Sequence, residues 1–368
     1  MSENGAGLEY TISGREIRVD RPEPIIPDIE VYPYKRRMEP QMALAALIEG
    51  HYVLIVDFYS SGLTLLLAVR EYVKSKYPDQ SFLGQRAYRS AFRELSHRLL
   101  LLVSNHKLAV RKAPEIGWLK ILYPELSEFL LPFPQVQGLN SAWQWYQKGI
   151  SIPGLNIKIH PWYGTYFPTR FEHLKLFDNW LKQYKGAKKS ALDIGIGSGV
   201  LTFQLLRHGF EQIYSTDSNP NAIIGIHEAM QGNKLSPKIE LMYGDLLAGY
   251  DQKTELIVFN PPWLPASRDS EGLDKAIYYD DKLFPRFFAE AALHLAPGGH
   301  VVLLFSNLAQ ITGITEDHPI AAEIAGGVRF QKELFLQNNV APASANTRRD
   351  QNWRASEMVE LWVLKLKH

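Results

Sequence analysis

The sequence predicts an α/β protein: a doubly wound, seven-stranded, mostly parallel sheet, preceded by an N-terminal α+β domain. Three observations carry this. From Ser190 onward, apolar strand-like runs alternate with helical patterns, the arrangement of a parallel sheet covered on both faces. The first of those runs ends in Asp193 and breaks into Gly195-Ile196-Gly197-Ser198-Gly199, with glycine at every second position. A later apolar run, Thr254 to Phe259, ends in Asn260-Pro261-Pro262-Trp263. One sheet would thus deliver two polar loops to the same edge.

A chain of 368 residues has room for two domains, each usually about 100–200 residues. The division is expected near residue 148, with residues 1–148 as a substrate-recognition or lid domain and residues 149–368 as the catalytic domain. Lys plus Arg (40) nearly cancels Asp plus Glu (39), which argues against bulk electrostatic capture of nucleic acid and leaves room only for a local patch. The absence of cysteine excludes disulfides, thiolate metal sites and a cysteine nucleophile. The first ten residues carry Glu3 and Glu9 and no apolar core, so no secretory signal is expected and the chain reads as cytoplasmic. Its most apolar window, His51 to Val69, is interrupted by Asp57, Ser60 and Ser61 and reads as core, with no membrane partner implied.

In chain order, residues 1–40 are polar and proline-rich, with one alternating run from Tyr10 to Val19 that fits a short strand. Met42, Leu44, Ala45 and Leu47 mark a helix that Gly50 is placed to stop. Tyr52 to Phe58 reads as a buried strand and Leu63 to Tyr77 as a helix. Leu83, Ala87, Ala91, Leu95 and Leu99 recur every fourth residue and predict a helix over 82–102. Its other side shows Arg86, Arg89, Arg93 and His97, a charged face that is by default solvated and alternatively a contact for phosphate. Lys107–Lys112 and Trp118–Leu122 read as short strands, and Pro124 to Gly138 as a proline-broken connection.

Residues 149–160 predict a hairpin linking the domains, since Ile150 and Ile152 alternate, Pro153-Gly154 turns the chain, and Ile157 and Ile159 alternate on the return. The segment His160 to Glu172 follows, and then a helix with Leu174, Phe177 and Leu181 on one face. His160, Trp162 and Tyr163 either line a pocket or pack in the core. Strands are expected at 190–194, 212–216, 239–243, 256–260 and 300–306, with helices at 200–207, 220–231 and 284–295. The runs 330–334 and 358–366 would close the sheet as an antiparallel pair.

The glycine spacing separates two cofactors. A dinucleotide loop wants Gly-x-Gly-x-x-Gly/Ala, which would put Val200 in the third place; the observed Gly-x-Gly-x-Gly favours S-adenosylmethionine over NAD. With no pyrophosphate to hold, Gly195, Gly197 and Gly199 need only give backbone room, and Asp193 can attract the cationic groups. Asp217 ends the next strand about twenty residues on, where an acid accepts from ribose hydroxyls or caps the following helix. Asp245 ends the strand after that, placed either for an adenine amino group or for capping its own loop.

Asn260-Pro261-Pro262-Trp263 carries the most specific chemistry. An amide or aromatic-amine nitrogen is a poor nucleophile because its lone pair is delocalised. Acceptors in line with its N–H bonds draw it towards pyramidal geometry. The Asn260 side-chain oxygen and a carbonyl within the prolines can do this, since proline fixes φ and has no competing N–H. Trp263 offers a face on which a planar acceptor stacks. No metal is required.

With these residues in view, residues 149–310 resemble the class I S-adenosylmethionine-dependent methyltransferases, and specifically the HemK-type protein glutamine N5-methyltransferases with an Asn-Pro-Pro-aromatic motif. The linking hairpin belongs to the resemblance, and Phe167-Pro168-Thr169-Arg170-Phe171-Glu172 approximates the family's proline-arginine-glutamate segment with one extra residue. Trp263 stands where the family has tyrosine. The resemblance implies that Asp193, Gly195 and Gly197 hold the methionine part of the cofactor, Asp217 the ribose, Asp245 the adenine and Asn260 the substrate nitrogen. The product would be S-adenosylhomocysteine. Tyr163, Tyr166, Arg170 and Tyr278 are the candidates for the substrate side. The expected reaction is N-methylation of a planar nitrogen in a protein glutamine; the alternatives are a small metabolite or peptide, or a nucleic-acid base amine. A non-catalytic scaffold is disfavoured because loop and corner are both intact.

Overall fold

A computed structural model describes residues 8–79, 82–231, 236–266, 276–340 and 356–367. Two compact units are present, one built on Val19–Gln147 and the other on Glu9–Arg18 together with the chain from Lys148 onward. The run from Tyr10 to Val19 is a hairpin of two strands, β1 (Glu9–Ile12) and β2 (Arg15–Arg18). It buries Ile12 and Ile17 within the second unit.

The first unit contains β3 (Val31–Tyr34), α1 (Pro40–Ile48), β4 (Tyr52–Ile55), α2 (Tyr59–Lys76), α3 (Phe82–Ser96), β5 (Leu99–Ser104), β6 (Lys107–Leu108), α4 (Trp118–Leu122), β7 (Glu128–Pro132) and α5 (Phe133–Lys148). Strands β3, β4 and β5 are parallel, and β6 and β7 run antiparallel to β5. The expected helix over 82–102 stops at Ser96. Leu99, Leu100, Leu101 and Val103 instead form a central strand buried on both faces, where a continuous apolar run is the rule. Trp118–Leu122 is one helical turn and not a strand, too short to show a helical period. Its Trp118 packs against Trp143 and Tyr146 of α5, with ring centres 5.6 and 4.7 Å away. The expected connection 124–138 is replaced by β7 and the start of α5. On the charged face of α3, Arg89 and Arg93 are exposed, and beyond the helix end Arg98 pairs with Glu94 at 3.0 Å and donates to the Leu47 carbonyl. The Arg86 side chain lies outside the described residues.

The second unit continues with the linking hairpin, β8 (Ile150–Ser151) and β9 (Lys158–Ile159), in which Ile150 faces Ile159. Then come α6 (Glu172–Gln183), β10 (Ser190–Ile194), α7 (Val200–Arg207), β11 (Gln212–Asp217), α8 (Pro220–Gln231), β12 (Ile239–Tyr243) and β13 (Thr254–Phe259). A small parallel pair, β14 (Leu264–Pro265) and β15 (Tyr278–Tyr279), precedes α9 (Leu283–His294), β16 (Leu295–Ser306), α10 (Leu308–Ile311), α11 (Pro319–Gly326), β17 (Phe330–Asn339) and β18 (Met358–Leu366).

The seven-stranded sheet has the order β12-β11-β10-β13-β16-β18-β17. Its first five strands are parallel, while β18 is antiparallel to both of its neighbours. One face buries Leu192, Ile194, Ile257, Phe259, Val301, Leu303 and Phe305 against Phe284, Phe287 and Phe288 of α9. The chain winds outward in both directions from β10 and β13, so the strand order reverses between them. Ligands of such sheets bind outside the carboxyl ends of the strands at that switch point. No helix among the described residues is long and apolar enough to cross a membrane.

Candidate active site

Three strand ends meet at the switch point. Ile194 of β10 pairs with Phe259 of β13 and with Thr216 of β11. Gly195, Asn260 and Asp217 therefore leave adjacent strands at one level, about 5 Å apart from strand to strand. The glycine loop begins there. Gly197 has φ 49°, a conformation that a side chain would strain, and its N–H donates to Asp217 Oδ2 at 2.8 Å. Asp217 Oδ1 accepts from the Asn219 N–H, also at 2.8 Å. The carboxylate thus ties the loop to the start of α8. Burial pushes its carboxyl up to about 6, against the pull of those N–H groups. Gly199 serves packing: with φ 81°, a Cβ there would lie 2.6 Å from Ile226 and 2.8 Å from Phe203.

Asp193 sits on the sheet face opposite Leu192 and is fully buried. Its Oδ2 accepts from Thr202 Oγ1 at 2.6 Å, and that hydroxyl is 2.9 Å from Ser215 Oγ. Among the described residues, its Oδ1 has no hydrogen-bond partner. Burial first, and the nearby Asp217 charge to a lesser degree, push its carboxyl up to about 7. An unpaired buried acceptor beside side-chain-free backbone is the complement of a cationic amino acid moiety, so the residues present fit S-adenosylmethionine.

Asp245 is exposed and paired with Arg286 at 2.8 Å, and its carbonyl accepts from the Ala248 N–H. Asn260 accepts at Oδ1 from the Trp263 indole N–H at 3.2 Å. Pro261 is buried, and Pro262 and Trp263 are half-buried. Tyr278 is set beside the corner by the β14–β15 pair, in which Leu264 faces Tyr278. Arg170 pairs with the buried Glu357 at 2.8 Å, just before β18 and level with the carboxyl end of β16. Tyr166 is exposed, and its carbonyl would lie 3.3 Å from a Cβ at Gly197, so the segment before α6 covers the glycine loop. Of the three residues left open between pocket and core, Trp162 is buried and donates to Glu228 at 2.8 Å, Tyr163 is half-buried, and His160 is exposed.

Sequence reasoning missed three supports. Asn219 Nδ2 donates to the Gly164 carbonyl and Asn221 Nδ2 to that of Tyr163, both at 2.9 Å, which pins the covering segment to the start of α8. Tyr10 donates to Glu228 at 2.7 Å, Ser13 to the Leu241 carbonyl and Arg15 to that of Tyr243, so hairpin β1–β2 clasps α8 and β12. His173 is buried against Trp263, with ring centres 5.3 Å apart and planes at 89°. Its one sequence signal is position: it stands four residues before Phe177 on the apolar stripe of α6.

The strand order, the glycine loop tied to a strand-end acid, and the polar corner beside it define a class I methyltransferase fold. The methyltransferase small domain family matches residues 175–318. A Methanocaldococcus jannaschii protein named as a candidate protein N5-glutamine methyltransferase is 31% identical over 166 residues, covering 43% of this chain and 80% of that one. A ribosomal RNA small subunit methyltransferase C from Alcanivorax borkumensis is 30% identical over 122 residues, 33% of each chain. A ribosomal protein L11 methylase from Lactobacillus delbrueckii subsp. bulgaricus matches in structure at 18% identity and TM-score 0.39, over 59% of this chain and 91% of that one. The chain belongs to the S-adenosylmethionine-dependent methyltransferases of the methyltransferase small domain family.

Proposed function

We propose that the enzyme methylates the side-chain nitrogen of a protein glutamine, with residues 19–147 serving in substrate recognition. The observation that supports this most is the placement of Asn260 level with Gly195 on the adjacent strand, its side-chain oxygen held by Trp263. Bound S-adenosylmethionine supplies an electrophilic methyl group on a sulfonium. Asp193, Gly195 and Gly197 would hold its amino acid part, with Gly199 keeping the loop packed on α7 and α8, while Asp217 would hold its ribose and Asp245 its adenine edge. Asn260 Oδ1 spends one lone pair on Trp263 and offers the other to a substrate N–H. A carbonyl of Pro261 or Pro262 takes the second N–H, and Trp263 stacks the carboxamide plane. Held in this way, the substrate nitrogen would have its lone pair bared and aimed at the methyl group that the bound cofactor would supply. Alignment and exclusion of water supply the rate. Tyr163, Tyr166, Arg170 and Tyr278 form the substrate rim.

The test is labelled methyl transfer into lysate separated into protein, nucleic acid and small molecules. Label should enter protein and be released by acid hydrolysis as methylamine, because hydrolysis of an N-methyl carboxamide frees that amine. Label confined to nucleic acid or to small molecules would overturn the glutamine reading.

A further inference from the structure

We infer that His173 is a positioning residue of the methyl-transfer site: edge-on to Trp263, it holds the indole at the angle from which Nε1–H reaches the side-chain oxygen of Asn260. This rests on the reading of Asn260 as the group that orients the substrate nitrogen.

His173 is 2% exposed, and among the described residues neither Nδ1 nor Nε2 has a hydrogen-bond partner. Stranding polar ring atoms in this way costs about 1–3 kcal/mol each, which phenylalanine or leucine on the same stripe would avoid. The ring therefore acts here through its aromatic edge and not through its nitrogens. Burial lowers the ring to about 4, so it is neutral around pH 7, with one N–H and one bare nitrogen. A neutral ring perpendicular to an indole at 5.3 Å is the favoured aromatic geometry, and it resists rotation of the partner by roughly 0.5–1.5 kcal/mol.

The restraint matters because the next link is long. At 3.2 Å, the Trp263 bond to Asn260 lies at the outer end of the N–H···O range, where a small turn of the indole breaks it. Among the described residues, Trp263 is the hydrogen-bond partner of the Asn260 side chain. That bond also decides which end of the carboxamide is fixed: an indole N–H only donates, so it selects Oδ1 over Nδ2. The chain His173–Trp263–Asn260 thus carries the placement of α6 into the orientation of the acceptor oxygen. It gives the tryptophan a task that tyrosine would perform with different geometry.

The test needs neither substrate nor cofactor. In full-length protein with ¹⁵N-labelled tryptophan, the Trp263 indole N–H is assigned by its loss in Trp263→Phe, and its hydrogen exchange is followed. His173→Ala should speed that exchange roughly 3- to 10-fold, while the Trp162 indole, bonded to Glu228, stays put and reports an intact fold. His173→Phe, which restores an aromatic edge, should return exchange to within about 2-fold of wild type. His173→Leu, which fills the space without an aromatic edge, replaces the alanine variant if that unfolds and should behave as alanine does. Unchanged exchange at Trp263 in His173→Ala or His173→Leu overturns the inference. Failure of the glutamine reading would show separately, as label absent from protein amides.

Discussion

Raising the pH from about 5.5 to 8.5 should tighten S-adenosylmethionine binding roughly 30-fold relative to the same change in Asp193→Asn, through Asp193. Its carboxyl is fully buried and pushed up to about 7; the Thr202 hydroxyl pulls the other way and the Asp217 charge adds to the rise. A group with that midpoint is about 3% ionised at the lower pH and about 97% at the upper, and only the ionised form pairs with a cationic amino group. The sign for stability is opposite. The folded state keeps the proton to higher pH than the unfolded chain, so the cofactor-free protein should lose stability as pH rises from about 4 to 7. Asp217, pushed up to about 6, adds to the lower half of that window. Titration calorimetry across the range checks the binding arm, with Asp193→Asn as control. The ligand's own amino group titrates identically against both proteins and cancels in the ratio. Thr202→Val, which removes the hydroxyl that favours the ion, should move the midpoint upward. Parallel pH profiles for wild type and Asp193→Asn would refute the reasoning.

Asn260→Ala should leave cofactor affinity within about 3-fold while turnover falls roughly 10²-fold, as for loss of one contact made in the transition state; single-turnover methyl transfer alongside calorimetry separates the two. Gly199→Ala combines a left-handed backbone with contacts of 2.6 and 2.8 Å to Ile226 and Phe203. It should destabilise by about 2–4 kcal/mol, seen as a lowered melting temperature that S-adenosylmethionine only partly restores.

The half of the sheet that carries the site was legible because β10, β11, β12 and β13 are each an apolar run followed by a polar signal: Asp193 and the glycines, Asp217, Asp245, Asn260. Those signals are local, and a parallel sheet gathers strand ends at one edge whatever the details of packing. What escaped the sequence was either short or distant. Trp118–Leu122 and Glu128–Pro132 are too brief for a period to show, and Leu99 continued a four-residue spacing past the real helix end at Ser96. The grips of Asn219 and Asn221 on the segment at 163–164 span 55 and 58 residues. The Tyr10–Glu228 bond spans 218. A histidine on an apolar stripe gives no hint of which ring it will meet.

Hairpin β1–β2 makes the catalytic unit discontinuous in the chain. Cutting the gene at the boundary near residue 148 would remove the strands that clasp α8 and β12, exposing Ile12 and Ile17 contacts and freeing one oxygen of Glu228. During synthesis, the hairpin emerges more than 200 residues before the strand it grips, so it must wait, unpaired, until most of the chain is made. Maturation of this enzyme is therefore a closing of a circuit, completed only when residues 9–18 meet α8 and β12 in the same unit.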